Sequence, residues 1–321
     1  MQRIEETIRS LAPIPNLTVS RDVPLSRLTR LGIGGPASVL VETGSGESLA
    51  SAIRIVRESD VPWVVMGGGT NLVVSDDGFR GVVLRYTAGG LEANGNAVSA
   101  GSGAELQALV DFAVSNGLGG IETLTGIPGS VGAAVYGNAG AYGHSLSEFV
   151  SRVRFCDGGN VREFNNADCE FRYRESVFKR NKEWIILGVT LELMPAPAED
   201  LRRAAAEIRE IRDSKYPATM RCAGSIFKNL LLAELPERAA AGTPSSVVRE
   251  GKVPSAYFLE QVGAKDMRRG GMRVAGYHAN LIYNEGGGTA ADLRSLIDEL
   301  KERVRARFGL ELEEEVQYVG F

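Results

Sequence analysis

An α+β chain of two or more domains is what this sequence predicts, and three observations carry the reading. At 321 residues the chain exceeds what one hydrophobic core usually organises. Strand-like and helix-like apolar patterns both recur along its length. Pro195-Ala196-Pro197-Ala198 breaks those patterns, because two prolines cannot continue a strand ladder.

In order along the chain, Ile4, Ile8 and Leu11 share one helical face among charges, which is no signal-peptide core. Between 39 and 84 an apolar strand, a helix with Leu49, Ile53 and Val56 inward, a strand at 61–66 and a strand at 81–84 form one compact α/β unit. From 97 to 193, strand-like segments at 98–100, 150–155, 161–164 and 184–193 surround a helix whose core face is Leu106, Leu109, Val110 and Ala113. The glycine after Asn116 ends that helix. A new helix is expected over 199–212, and a domain boundary is placed at the prolines before it. Residues 230–252, rich in Ala, Pro, Ser and charge, read as a surface insertion. Thr289 with Asp292 resembles a capping box opening a helical stripe that ends at Gly309, and an acidic strand at 310–319 closes the chain.

Composition narrows the function. A net charge of −4 with interleaved signs leaves no electrostatic footprint for nucleic acid or an anionic membrane. No stretch approaches a membrane span. Cys156, Cys169 and Cys222 are odd in number and form no C-x-x-C pair, so neither a disulfide framework nor a zinc site is suggested. A reducing, cytoplasmic setting is expected. The two histidines, His144 and His278, assemble into no Ser-His-Asp or metal-ligand spacing, so no metal is expected.

Two glycine runs stand out. Gly126-Ile127-Pro128-Gly129-Ser130-Val131-Gly132 continues through Ala133 and Gly137 to Asn138-Ala139-Gly140 and Gly143, placing six glycines in eighteen residues. Glycine lets successive N–H groups converge on phosphate oxygens with no side chain between. Gly67-Gly68-Gly69-Thr70-Asn71-Leu72 repeats the device about sixty residues earlier, so a ligand with two ends, such as a dinucleotide, suits the pair. A strand-like Leu72-Val73-Val74 follows, where a nicotinamide Rossmann fingerprint needs a helix. Taken alone, this run fits a ligand-free tight turn equally well.

Three further segments are ambiguous by themselves. Phe171-Arg172-Tyr173-Arg174 through Lys179 alternates aromatic and charged residues; if extended, it sets both arginines on one face of a solvated, salt-bridged strand. Ser225, in Ala223-Gly224-Ser225-Ile226-Phe227-Lys228-Asn229, reads as an ordinary turn hydroxyl. Glu313, Glu314 and Glu315 read as an exposed acidic strand end.

In this order the motifs resemble the UDP-N-acetylenolpyruvoylglucosamine reductases. The resemblance rests on Gly34-Gly35-Pro36-Ala37, on 67–74 with Asp77-Gly78-Phe79, on 126–143, on Tyr173-Arg174-Glu175-Ser176 with Phe178-Lys179, on 223–229 and on Leu312-Glu313-Glu314-Glu315-Val316. It implies a two-subdomain FAD-binding fold of the vanillyl-alcohol oxidase type plus a C-terminal α/β substrate-binding domain. The implied domains are an N-terminal helix and lead-in at 1–20, an FAD-binding domain at 21–195 with subdomains near 21–86 and 87–195, and a substrate domain at 199–321. Trp184 follows the Tyr173 motif without a long insert, which resembles the shorter subtype lacking the tyrosine-bearing loop.

Carried over by position, the resemblance makes Arg174, Ser225 and Glu315 catalytic. Tyr173, Lys215, Asn229 and His278 would contact a UDP-sugar. Residues 67–72, with Gly126, Ile127, Pro128, Gly129, Ser130, Gly132, Ala133, Asn138, Ala139 and Gly140, would hold non-covalent FAD. NADPH is the implied electron donor, and a monomer is expected. An enolpyruvyl group would gain a hydride at its terminal carbon and a proton from Ser225 at the adjacent one, while Arg174 meets the developing charge. Glu315 would act as an acid, through Arg174, or through water. Two alternatives remain at this stage: a flavin oxidase of the same fold acting on a sugar or alcohol, for which His144 is the nearby attachment histidine, and a flavin-binding module without catalysis.

Overall fold

The computed structural model describes residues 2–321, and the chain separates into two compact units. One comprises Met1–Val23, Ala37–Gly69 and Phe79–Ser214; the other comprises Pro24–Pro36, Thr70–Gly78 and Lys215–Phe321. The division at Ser214/Lys215 lies later than the prolines at 195–197. Helix Ala198–Lys215 buries Leu201 in the core of the first unit, so the proline pair starts a helix without starting a domain.

The first unit has two layers of core. Strands Thr18–Pro24, Pro36–Thr43, Phe79–Tyr86 and Trp63–Val65 form a four-stranded sheet in that order, with Phe79–Tyr86 parallel to both Pro36–Thr43 and Trp63–Val65. Helices Gln2–Leu11 and Gly46–Glu58 pack together, burying Leu11, Leu49, Ile53 and Val56 with Val39, Val41, Val82 and Leu84. The second layer is an antiparallel five-stranded sheet in the order Val161–Asn165, Val150–Cys156, Ile185–Glu192, Ala97–Gly101, Leu91–Asn94. Alternation along Ile185–Glu192 turns Val189 and Leu191 toward helices Leu106–Ser115 and Val131–Tyr136. The short strand Leu91–Asn94 escaped the sequence reading because its alternation lasts only four residues, between Gly89-Gly90 and Gly95.

Two parts of the first unit depart from expectation. The glycine run 126–143 is not one open loop: Ser130 caps a helical turn, Val131–Tyr136, and Gly140–Ala141 pairs with His144–Ser145. Residues 172–179 are not extended. Arg172 and Glu175 exchange backbone hydrogen bonds at 3.1 Å around a tight turn, and helix Val177–Arg180 follows. Arg172 ends up exposed and Arg174 half-buried, so the arginines part company.

The second unit packs helices Ser255–Gln261 and Ala290–Phe308 with a four-stranded antiparallel sheet ordered Cys222–Ser225, His278–Asn284, Met272–Ala275, Arg268–Arg269. The capping box forms as read: Asp292 N donates to Thr289 Oγ1 and Thr289 N to Asp292 Oδ2, each at 3.0 Å. Gly309 closes the helix at φ +68°. The acidic strand is shorter than 310–319; only Gln317–Val319 is a strand, parallel to Leu72–Val74. The stretch 230–252 is no mere surface insertion, since Leu230–Leu231 pairs with Lys252–Val253 and Ala239 is fully enclosed in the core. Cys156, Cys169 and Cys222 are buried and free.

Candidate active site

In the first unit Gly67–Gly69, the start of the first glycine run, meets the second run; Thr70–Leu72 belong to the second unit. A Cβ on Gly68 would stand 3.0 Å from Gly129 Cα and 3.1 Å from Ser130 N, and one on Gly67 would stand 2.9 Å from Ser130 Oγ. A side chain at 68 would press on the 129–130 backbone, which would have to give by a few tenths of an ångström, so glycine suits the close approach. Within 126–133 most amides are spent on the protein: Gly126 N on Gln107 Oε1, Val131 N on Ala104 O, Gly132 N on Ser102 O and Ala133 N on Ser130 Oγ. The amides of Gly67, Gly68, Gly69, Gly129 and Ser130 donate to no acceptor among the described residues. Unbonded N–H groups on facing glycine loops form a cradle for an anion, and the pyrophosphate of a dinucleotide fits that donor set.

The far end of the same run is committed differently. Asn138 is buried, its Nδ2 donating to Arg172 O at 3.0 Å and its Oδ1 accepting from Ser147 N at 3.1 Å. These two bonds clamp the loop and leave one Nδ2 proton and one Oδ1 lone pair of Asn138 beyond them. Arg174 Nη2 donates to Gly140 O at 3.0 Å, with the guanidinium 5.2 Å from the Tyr173 ring centre. Arg212, which the sequence reading passed over, lays its side chain against Gly126 at the start of the second glycine run, since a Cβ on Gly126 would lie 3.1 Å from Arg212 Cδ. Its only signal was its place three residues before Lys215. His144 is exposed and bonded to Glu148 at 2.8 Å. A cavity of ≈ 490 Å³ on the outer face of the five-stranded sheet, lined by Tyr86, Ser99, Arg152, Arg154 and Thr190 among others, includes no residue of either glycine run.

In the second unit, sequence-distant residues also converge. Residues 226–228 run against 313–315, with Glu315 N donating to Ile226 O at 2.7 Å and Lys228 N to Glu313 O at 2.9 Å. This seats Glu315 opposite Ile226, the residue that follows Ser225 in the chain. Asn71 Nδ2 donates to Glu315 O at 2.9 Å, so the asparagine of the first glycine run fixes the glutamate's main chain. Ser225 sits at a bulge: Cys222 pairs with Tyr283 and Ser225 with Leu281, three residues against two. A bulge re-aims the side chain that follows it. The Ser225 hydroxyl makes no hydrogen bond among the described residues, leaving it available to a substrate.

The acidic triplet is not uniformly solvated. Glu313 is exposed and pairs with Lys228 at 2.6 Å, Glu314 is half-buried and pairs with Lys301 at 2.8 Å and with Tyr318, and Glu315 is half-buried. Lys215 and His278 are also brought together. Burial pushes the His278 imidazole below its ordinary value, and the charge of Lys215 pushes the same way. Asn229 is exposed at the start of the 230–253 hairpin.

Paired strand-and-glycine loops with an unspent amide cradle, carried on a mixed two-layer unit, define an FAD-binding protein; residues 37–163 match the family described as FAD binding domain. Residues 216–319 match the family described as UDP-N-acetylenolpyruvoylglucosamine reductase, C-terminal domain. The chain is 60% identical to the UDP-N-acetylenolpyruvoylglucosamine reductase of Solibacter usitatus over 97% of its own length and 99% of that protein's. It is 33% identical to the reductase of Bacillus subtilis across 99% of both chains. The crystal structure of the Thermus caldophilus enzyme superposes with a TM-score of 0.76 at 28% identity, covering 95% of this chain and 100% of that one. This chain belongs to the UDP-N-acetylenolpyruvoylglucosamine reductase family.

Proposed function

We propose that the protein reduces the enolpyruvyl double bond of UDP-N-acetylenolpyruvoylglucosamine with electrons from NADPH, giving UDP-N-acetylmuramate for peptidoglycan synthesis. Near full-length identity of 60% to a reductase named for that substrate carries the reading. FAD, held non-covalently at the facing glycine loops, supplies the hydride chemistry.

The chain's own residues then have three tasks. Arg174 presents a planar donor fork suited to the substrate's carboxylate and to the negative charge that collects there as the terminal vinyl carbon gains hydride. Ser225 delivers the proton to the adjacent carbon; a serine is a weak acid, but an enolate is a strong base and the hydroxyl is held in place. Glu315, seated opposite Ile226, the residue after Ser225, supplies the carboxyl group that supports this transfer. Tyr173, Lys215, Asn229 and His278 are assigned to the UDP-sugar, and 67–72 with 126–130, Gly132, Ala133 and 138–140 to the cofactor.

The protein is placed in the cytoplasm because NADPH and UDP-sugars are cytoplasmic metabolites; a monomer acting on small molecules, without nucleic acid or membrane, completes the proposal. Among the described residues no helix is long and apolar enough to cross a membrane.

The test is anaerobic. NADPH should bleach the yellow protein, and UDP-N-acetylenolpyruvoylglucosamine should restore the oxidised spectrum where phosphoenolpyruvate does not. Recovery with either compound alike, or with neither, removes the assignment.

A further inference from the structure

We propose that Lys179 is a positioning residue for Arg174, its ammonium fixing the left-handed main-chain conformation from which the guanidinium reaches the second glycine run. The inference rests on the reading of Arg174 as the group that meets the substrate's carboxylate.

Arg174 has φ +57°. A residue with a Cβ pays to sit in that region, and such conformations persist where the surroundings impose them. The Arg172–Glu175 exchange closes the turn, and Asn138 holds the Arg172 carbonyl. Neither contact touches the Arg174 carbonyl. Lys179 does: its Nζ donates to Arg174 O at 2.8 Å and to Glu175 Oε1 at 3.0 Å.

The lysine is itself well anchored. Ser176 is fully buried, donates from Oγ to Tyr136 O at 2.7 Å and accepts from Lys179 N at 3.2 Å. Phe178, also fully buried, packs among Phe155, Phe164 and Trp184 with ring centres 5.2–6.4 Å away. The Lys179 side chain is only 14% exposed. A solvated i, i+4 pair would leave both groups in water and contribute little. Here the ammonium leaves its own helical turn and takes the carbonyl of the strained residue, with Glu175 fixing its third dimension. Loss of the ammonium lets the peptide after Arg174 rotate, and the guanidinium moves with it.

The experiment uses the flavin-loaded enzyme and rapid mixing. Lys179→Met keeps an unbranched apolar stem as far as Cε and removes the ammonium with all its donors. Expected are unchanged flavin content, unchanged bleaching by NADPH, and reoxidation by UDP-N-acetylenolpyruvoylglucosamine slowed about 10- to 100-fold, the scale of a misplacement of about 1 Å. In an Arg174→Ala background the same substitution should add no further loss, because there is no guanidinium left to place. A reoxidation rate equal to the parent's, or an equal slowing in both backgrounds, overturns the proposal. Should Lys179→Met yield no folded yellow protein, Lys179→Gln, too short to span both acceptors, carries the same comparison. If Arg174→Ala alone reoxidises at the parent rate, the reading of Arg174 falls and takes this inference with it; if Arg174→Ala is slow and Lys179→Met is not, only the inference falls.

Discussion

Gly68 and Gly129, sixty-one positions apart in the chain, approach so closely that a Cβ on the first would stand 3.0 Å from the Cα of the second. Their unbonded amides therefore share one space. Gly68→Ala forces one loop away from the other, a displacement that costs about 1–3 kcal/mol in close-packed surroundings. That energy should fall on the cofactor, with flavin affinity reduced about 10- to 100-fold while the apoprotein still folds. Titration of apoprotein with FAD measures it, and a dissociation constant equal to the parent's would deny that the loops grip one ligand.

Ser225 stands in a bulged strand with its hydroxyl unengaged, one residue before Ile226, whose carbonyl accepts from the Glu315 amide. Ser225→Ala should leave NADPH bleaching intact and slow reoxidation by the enolpyruvyl substrate by about two to three powers of ten, the usual cost of one positioned donor. Parent-like turnover in that variant would take Ser225 out of the reaction.

Arg174 Nη2 donates to Gly140 O at 3.0 Å, which orients the planar guanidinium. Arg174→Lys substitutes a compact point charge for that planar fork. The expected defect is confined to the second half-reaction: NADPH reduction keeps its rate and reoxidation falls by about tenfold or more. Stopped-flow traces with both phases unchanged would contradict the role.

These expectations rest on features of unequal visibility. Alternation and helical stripes exposed the strands Phe79–Tyr86 and Ile185–Glu192 and the helix Ala290–Phe308, because each buries one face and its composition records that fact. Glycine spacing exposed the two runs but not their contact, since nothing local dictates that Gly68 meets Gly129. The 172–179 turn was hidden for a sharper reason. Its alternating aromatic and charged residues mimic a strand, whereas the conformation is imposed by Phe178 in an aromatic cluster and Ser176 on a distant carbonyl. Likewise Leu72-Val73-Val74 and a strand within 310–319 were each legible, while their parallel pairing, Leu72 with Gln317, was not, because nothing local records a partner 245 positions away. Ser225 and Glu315 were found only through resemblance; by composition they are a turn serine and a surface acid.

His278 offers a pH test. Its folded-state proton affinity lies below the ordinary histidine value, mainly through burial and then through the Lys215 charge, with Lys265 adding to it and Glu260 opposing. The unfolded chain therefore binds that proton at higher pH than the folded one does. Stability is unaffected above the normal histidine range and is lost as pH falls through it toward the folded value. His278→Gln should flatten this acid-side loss, so that melting temperatures at about pH 8 and about pH 5.5 differ less than in the parent. Identical acid sensitivity in both proteins would show that other groups govern it.

Asp76 tests the architecture away from the chemistry. Its carboxylate accepts from Ala290 N at 2.8 Å and Ala291 N at 3.0 Å, so a residue of the 70–78 segment satisfies the first amides of the nineteen-residue helix Ala290–Phe308. A negative charge there also complements the positive end of the helix dipole. Thr289 and Asp292 already engage each other in the capping box, which leaves these two amides without another acceptor when Asp76 is shortened. Asp76→Ala should therefore cost about 1 kcal/mol, lowering the melting temperature by about 1–2 °C at this chain size. Because the carboxylate touches no residue assigned to cofactor or substrate, kcat at room temperature should stay within about twofold of the parent. Asp76→Asn, which keeps one acceptor and loses the charge, should fall between the two. A melting temperature that does not move would mean that the 70–78 segment contributes nothing to the start of that helix.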